Sequence, residues 1–552
     1  MSDYEIEKQF KMRPIEEVAS SIGIGKDSLY NYGNYIAKVD PAFVLNNSKP
    51  TGKLVFVTAI TPTPLGEGKT TTTIGISDAL NKIGYKSVAV IREPSLGPLF
   101  GVKGGATGGG KAQAVPMEDI NTHFTGDIPA VEAAHNLLQT IIDNHIFHGN
   151  SLNIDPRRIT MKRVMDANDR SLRDIIIGLG GVSNGIPRQT GFDITASSEV
   201  MAILGLSQDI IELKKRLSRM IIGYTYDKKP LTAGQLSAVG AMALILRNAI
   251  KPNLVQSLEG NPIFIHGGPF ANIAHGSSSI ISIKTALKAA DFVVTEGGFG
   301  SDLGGEKFMD IVSRLGGFNP SVTVIVASAR ALKMHGGGDI KSLQSEDTLA
   351  LKKGLENLAK HIENMQYFGV PVVVSLNKFS TDTESEISIV RDFVESRNVR
   401  FAVSEVWANG GNGGLELANK IVDALTDQTN FRFLYNQNEP VKTKIEKIAK
   451  SMYGATSVEY TKDAMDDLNL IEKNNLGELL ICMAKTQLSL SDNPKQLGRP
   501  DNFSITIRNI RISNGAGFLV PLAGNIMTMP GLPKHPQAFD MDVLSDGTIV
   551  GL

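Results

Sequence analysis

Short apolar runs alternate with longer amphipathic stretches over most of the first 430 residues. The runs at 54–57, 88–91, 263–265, 292–294, 322–327 and 372–374 are bounded by turn residues, and their unbroken hydrophobicity suits strands buried on both faces. Between them the spacing predicts helices over 70–83, stopped by Gly84, and over 351–363. This alternation implies an α/β fold on a mostly parallel sheet with helices on both faces. Residues 150–260 are more charged and read as a helical insertion into a first α/β domain at 1–365. A second α/β domain is expected at 366–475. Beyond it Gly and Pro become dense, as in Gly498-Arg-Pro500 and Pro530-Gly-Leu-Pro533, and predict a small α+β domain at 476–552.

In such sheets ligands gather where the carboxyl ends of strands open into loops. The run at 54–57 leads into a glycine-rich loop, and the run at 88–91 into Arg92-Glu93. After 263–265 comes His266-Gly-Gly; after 292–294, Thr295-Glu-Gly-Gly-Phe299. Arg330, Lys333 and His335 follow 322–327, and Asn377-Lys-Phe379 follows 372–374. Many of the 55 glycines cluster at these ends, as tight loops approaching a ligand require. With 56 basic and 57 acidic side chains the net charge is -1, so no bulk positive field exists to hold nucleic acid or an anionic membrane. One cysteine, Cys482, excludes an internal disulfide framework and a thiolate metal cage. The first residues mix charges of both signs, and no apolar run nears the roughly 18 residues of a membrane span. A soluble cytoplasmic protein is expected.

The sharpest local signal is Thr61-Pro-Thr-Pro-Leu-Gly-Glu-Gly-Lys-Thr-Thr-Thr-Thr73, between a predicted strand and a predicted helix. A P-loop needs glycines so that backbone N–H groups can turn toward phosphates, a lysine for the β/γ oxygens and a hydroxyl for Mg²⁺. Gly66, Gly68, Lys69 and Thr70 fill those roles, with Thr63, Pro64, Leu65 and Glu67 completing the candidate nucleotide-binding stretch. The standard spacing would put a glycine where Thr63 stands, so the loop is a variant stiffened by Pro62 and Pro64. Thr70 is the candidate metal ligand, acting through Mg-ATP. Asn377-Lys-Phe-Ser380 is like the guanine-reading N-K-x-D element, but Ser380 lacks the carboxylate, which favours ATP. His123, His266, His275 and His335 match no zinc spacing and read as loop-fixing or lining groups.

Several longer motifs follow in order: Arg92-Glu-Pro-Ser-Leu-Gly-Pro98, Val115-Pro-Met-Glu-Asp-Ile-Asn-Thr-His-Phe-Thr-Gly-Asp127 and His266-Gly-Gly-Pro-Phe-Ala-Asn-Ile-Ala-His-Gly276. Thr295-Glu-Gly-Gly-Phe-Gly-Ser-Asp-Leu-Gly-Gly-Glu-Lys-Phe308 and Arg330-Ala-Leu-Lys-Met-His-Gly-Gly337 extend the series. Together they resemble the formate–tetrahydrofolate ligases (10-formyltetrahydrofolate synthetases) of the single-function form, from about residue 50 onward. Ser328-Ala329 and Gly298 stand where that family usually has Thr-Val and Ala. The resemblance implies an ATP-dependent, two-step reaction: formate is phosphorylated, and the formyl group then passes to N10 of tetrahydrofolate. It also implies Mg²⁺, a monovalent cation and a homotetramer.

The residues fit that chemistry. Lys69 and Arg92 are candidate catalytic cations for charge on the γ-phosphoryl oxygens, and an arginine can take formate and formyl phosphate in bidentate fashion. An ordinary ion pair of Arg92 with Glu93 or Asp127 is the bland alternative. Asp127 resembles the family's active-site carboxylate, which orients N10 or accepts its proton; a helix N-cap is its alternative. Trp407, the only Trp, and Phe379 follow neighbouring strand ends and could reach one cleft. Phe299 is a large ring flanked by glycines. All three are candidate folate-stacking rings, against a default of core packing. Residues alone leave open a small-carboxylate kinase and a nucleotide-switched ATPase.

Overall fold

The computed structural model describes residues 2–46, 51–64, 66–101, 107–524 and 526–551. Its centre is a twelve-stranded sheet. The main strands are β1 (Leu29–Asn31), β2 (Ala37–Val39), β3 (Lys53–Ala59), β4 (Ser87–Ile91) and β5 (Asn253–Ser257). They continue with β6 (Pro262–Ile265), β7 (Phe292–Glu296), β8 (Val322–Ala327), β9 (Val372–Asn377) and β10 (Arg400–Ser404). The spatial order is β1-β2-β5-β6-β4-β7-β3-β8-β9-β10. Every pair from β6 to β10 is parallel, and β1, β2 and β5 form an antiparallel edge. Short strands Gly108–Gly109 and Ala112–Val115 join through β5.

Central strands read as continuous hydrophobic runs because both of their faces are covered. Val55, Val57 and Ala59 of β3 pack with Ile76, Ala79 and Leu80 of α1 (Lys69–Lys82), and with Leu417 and Ile421 of the helix Leu415–Ala424. Alternate residues Leu54 and Phe56 enter the opposite core with Ile362 and Met365, and the Phe56 ring stacks on Phe308 at 4.1 Å. Each of the Val, Leu, Ile, Phe and Met side chains among them, fully buried, contributes roughly 1.5–3 kcal/mol relative to exposure. α1 ends as its sequence predicts: Gly84, at φ +98°, follows the last turn and donates its N–H to the Asn81 carbonyl. Other helices used below are α2 (Asp127–Phe147), α3 (Ala329–His335) and α4 (Thr348–Tyr367).

The strands expected to open a second α/β domain are hydrogen-bonded into the same sheet: Ile325 of β8 pairs with Val374 of β9, which pairs with Phe401 of β10. A parallel strand looks the same in sequence whether it starts a sheet or extends one. The stretch at 150–260 holds strands as well as helices. Ile154–Ile159, Ile221–Thr225 and Pro230–Thr232 form a three-stranded sheet, and Ile175–Ile177 pairs with Arg188–Thr190. Its charged strand Ile154-Asp-Pro-Arg-Arg-Ile159 lacks the apolar signature that marks the central strands. Toward the C-terminus, β11 (Ser457–Tyr460), β12 (Leu480–Ile481), β13 (Ser504–Ser513) and β14 (Phe518–Ala523) make a four-stranded sheet in the order β11-β13-β14-β12. No helix among the described residues is long and apolar enough to cross a membrane.

Candidate active site

The glycine-rich loop leaves the carboxyl end of β3, in the middle of the parallel sheet, and runs into α1 with Gly68 as its N-cap. Gly68 is left-handed at φ +71°, and a methyl group there would lie 2.9 Å from Asn377 Nδ2. Asn377, at the end of β9, donates from Nδ2 to the Glu67 carbonyl at 2.8 Å, and its Oδ1 accepts from Thr72 Oγ1 at 3.0 Å. Glu67 is buried, and its carboxylate turns back into the loop. Oε1 accepts from the Thr63 N–H at 3.0 Å and from Thr63 Oγ1 at 2.9 Å, while Oε2 accepts from Ser328 Oγ at 2.7 Å. Ser328 therefore keeps the one hydroxyl a threonine there would supply. Pro64 and Gly66 are exposed on the outer side of the loop, Lys69 and Thr70 are half-buried, and Leu65 lies outside the described residues.

Thr70 points its hydroxyl at Glu296, the last residue of β7, with 3.1 and 3.0 Å to the two carboxylate oxygens. A hydroxyl and a carboxylate brought together at the glycine-rich loop are hard oxygen donors of the kind Mg²⁺ takes. Glu296 was visible in the sequence only as a strand-end acid; adjacency of β7 to β3 gives it a partner.

Arg92 directly follows β4, with β7 alone between that strand and β3. Its Nη1 donates to the Pro269 carbonyl at 3.4 Å, its Nε has no partner, and among the described residues it forms no ion pair. Burial pulls its pKa down while Glu296 opposes that. A methyl group at Gly298 would come within 3.1 Å of Arg92 Nη1, which places the turn carrying Phe299 against the guanidinium. Phe299 itself is left-handed at φ +62°, a strained conformation for a bulky residue and common at ligand sites.

Asp127 opens α2, with Gly126 rather than Asp127 in the cap position. Lys38 Nζ donates to both of its oxygens at 2.7 and 2.9 Å, and Asn253 Nδ2 donates to Oδ2 at 2.8 Å. Neither Lys38 nor Asn253 was marked by a motif; they come from β2 and β5. Nearby Glu93 is buried with Oε2 unpartnered, and burial together with the Asp127 charge raises its pKa well above the usual carboxylate range.

On the other side of the loop, the Lys378 N–H donates to the Ser404 carbonyl at 3.0 Å and draws the loops after β9 and β10 together. Phe379 is half-buried under the Arg330 guanidinium, 3.5 Å from the ring centroid. Trp407 is 57% exposed, its backbone carbonyl accepting from the Lys111 N–H at 2.8 Å and its ring lying over Gly110. A presented indole of this kind is not core packing. The strands leading to Phe299 and Phe379 are separated by β3 and β8, roughly 14 Å at the usual strand spacing, while Val406 beside Trp407 packs with Ile74, Ile91 and Ile265.

A mainly parallel sheet that gathers a glycine-rich loop, a buried arginine and presented aromatic rings along its carboxyl edge defines an α/β enzyme acting on small molecules. The formate–tetrahydrofolate ligase family model matches residues 1–552, the whole chain, and the protein belongs to that family. It is accordingly an ATP-dependent ligase that joins formate to tetrahydrofolate.

Proposed function

We propose that ligation proceeds through formyl phosphate, with ATP on the loop at 63–70, formate on Arg92 and the pterin of tetrahydrofolate beside Phe379 and Trp407. In the first step a formate oxygen attacks Pγ, the bond from Pγ to the bridging oxygen breaks, and ADP leaves. In the second, N10 attacks the formyl carbon, the carbon–oxygen bond to phosphate breaks, and the N10 proton passes to the departing phosphate. Lys69 and the N-terminal end of α1 offset charge building on the γ-phosphoryl oxygens. Thr70 and Glu296 would hold Mg²⁺, which neutralises phosphate charge when bound. Arg92 presents its planar fork to two oxygens of formate and then of the acyl phosphate.

Asp127 orients the reacting groups rather than acting as a free base, since three donor contacts to Lys38 and Asn253 hold its carboxylate in place. The observation that carries this reading is the order along the sheet edge: Arg92, then Glu296, then the loop with Lys69 and Thr70. Two strand spacings, roughly 10 Å, separate the arginine's strand from the loop's, a span that an arginine side chain and an acyl phosphate can bridge. Formate labelled with ¹⁸O tests it: one label should appear in the released phosphate, and unlabelled phosphate would exclude the intermediate.

A further inference from the structure

Thr61 stands two residues past β3, where the glycine-rich loop begins, and is 1% exposed. Every polar atom it has is engaged. Its N–H donates to Asn357 Oδ1 at 3.3 Å, its Oγ1 accepts from Asn357 Nδ2 at 3.0 Å, and its carbonyl lies 2.8 Å from His335 Nε2. Its hydroxyl is also 3.0 Å from His361 Nε2, and His361 Nδ1 is 2.6 Å from Ser301 Oγ. Asn357 and His361 are four residues apart on α4, so both project from one face.

Proton bookkeeping in this network fixes the tautomer of His335. Asn357 uses its second Nδ2 hydrogen on the Gly498 carbonyl at 2.7 Å, and the Gly498 N–H donates to His335 Nδ1 at 3.3 Å. A carbonyl on one ring nitrogen and an N–H on the other require His335 to be neutral with its proton on Nε2. Thr61 Oγ1 has two lone pairs and one hydrogen, so beside the bond from Asn357 it pairs with His361 Nε2 in either ring tautomer, with Ser301 Oγ taking the matching role at Nδ1. Burial supports neutral rings, lowering the His335 pKa and bringing that of His361 down to about 3. The same two side chains, Asn357 and His335, thus grip the backbone of Gly498 and the start of the loop. Pro62 and Pro64 follow with fixed φ, so a displacement at Thr61 passes on to the residues that face the nucleotide.

We propose that Asn357 and His335 are positioning residues that set the nucleotide loop through Thr61, and that they make the C-terminal segment at Gly498 part of that setting. This rests on the reading that the loop binds ATP.

Three variants test it. Thr61→Val removes the hydroxyl at nearly constant shape, and Thr61→Ser restores it. Gly498→Ala acts from the C-terminal segment: Gly498 has φ +70°, and an added methyl would lie 2.8 Å from the His335 carbonyl. Thr61→Val and Gly498→Ala should each weaken equilibrium ATP binding about tenfold and raise the ATP KM to match. The tetrahydrofolate KM should stay unchanged, and Thr61→Ser should behave as wild type. A merely structural role would lower the urea midpoint without separating the two KM values, and that outcome overturns the proposal. Lys69→Ala, measured alongside, separates the two ideas. If it keeps full ATP turnover, the loop reading itself falls. If it loses turnover while Thr61→Val and Gly498→Ala retain wild-type ATP affinity, only the positioning role falls.

Discussion

Asn377 holds the glycine-rich loop from both sides of its lysine, giving a 2.8 Å hydrogen bond to the Glu67 carbonyl and taking a 3.0 Å one from Thr72. The strand-end asparagine that resembled a base reader is occupied with the loop. Asn377→Ala should lower kcat/KM for ATP about tenfold, because a directional bond lost inside the loop leaves a backbone carbonyl unpaired. Asn377→Asp, which keeps an acceptor but loses the donor, should fall on the same side. Steady-state kinetics at saturating formate and tetrahydrofolate would read this, and unchanged ATP kinetics would assign Asn377 to packing alone.

Lys69→Ala should reduce kcat by about 10²–10³, the usual cost of one preorganised charge at a developing anion. The check is turnover by a variant whose circular dichroism matches wild type.

Arg92→Ala should bind ATP normally, since the loop does not depend on it, yet lose transfer from an acyl phosphate. Arg92→Lys should recover little of it, as ammonium lacks the planar fork. Running the reaction in reverse, with carbamoyl phosphate and ADP as substrates, isolates this step. Loss confined to nucleotide affinity would move Arg92 out of the acyl site.

Trp407→Ala should raise the tetrahydrofolate KM several-fold, since stacking on one ring contributes roughly 0.5–1.5 kcal/mol beyond its area. ATP and formate KM should not change. Because Trp407 is the only indole, tetrahydrofolate should quench the wild-type fluorescence directly. Phe299→Ala makes an informative companion: its strand lies on the Arg92 side of the loop, so its effect should fall on formate before folate.

Lys38→Met removes one member of a pair in which both side chains are almost wholly buried, at 1% and 2% exposure. An uncompensated carboxylate would remain in the core, at a cost of about 3–5 kcal/mol. Urea unfolding should show the shift. Lys38→Met should also slow formyl transfer, because Asp127 loses the donor that fixes both its oxygens.

Much of the architecture was legible because its physics is local. Continuous apolar runs mark strands covered on both faces, and Gly84 marks the end of α1. The glycine-rich loop, Lys69 and Thr70 were readable for the same reason: the chemistry lies within ten consecutive residues. Trp407 and Phe379 were readable as strand-end rings, although not that Arg330 covers one face of Phe379. By contrast, Glu296, Lys38, Asn253 and Asn357 carry no motif that announces a partner. Each acquires its role from a residue far away in the chain, and sequence spacing holds no information about such distances.

What the sequence determined by itself was therefore the central parallel strands and the chemical types at their ends, since continuous apolar runs and loop composition depend on neighbours in the chain. Tertiary structure alone decided which ends stand side by side. The order β4-β7-β3-β8-β9-β10 puts Arg92 and Glu296 on one side of the loop, and Asn377 and Phe379 on the other. That order is set by pairing among parallel strands of nearly identical hydrophobicity. Any of them would satisfy the same backbone hydrogen bonds; only the packing of the connecting helices against both faces selects the neighbours.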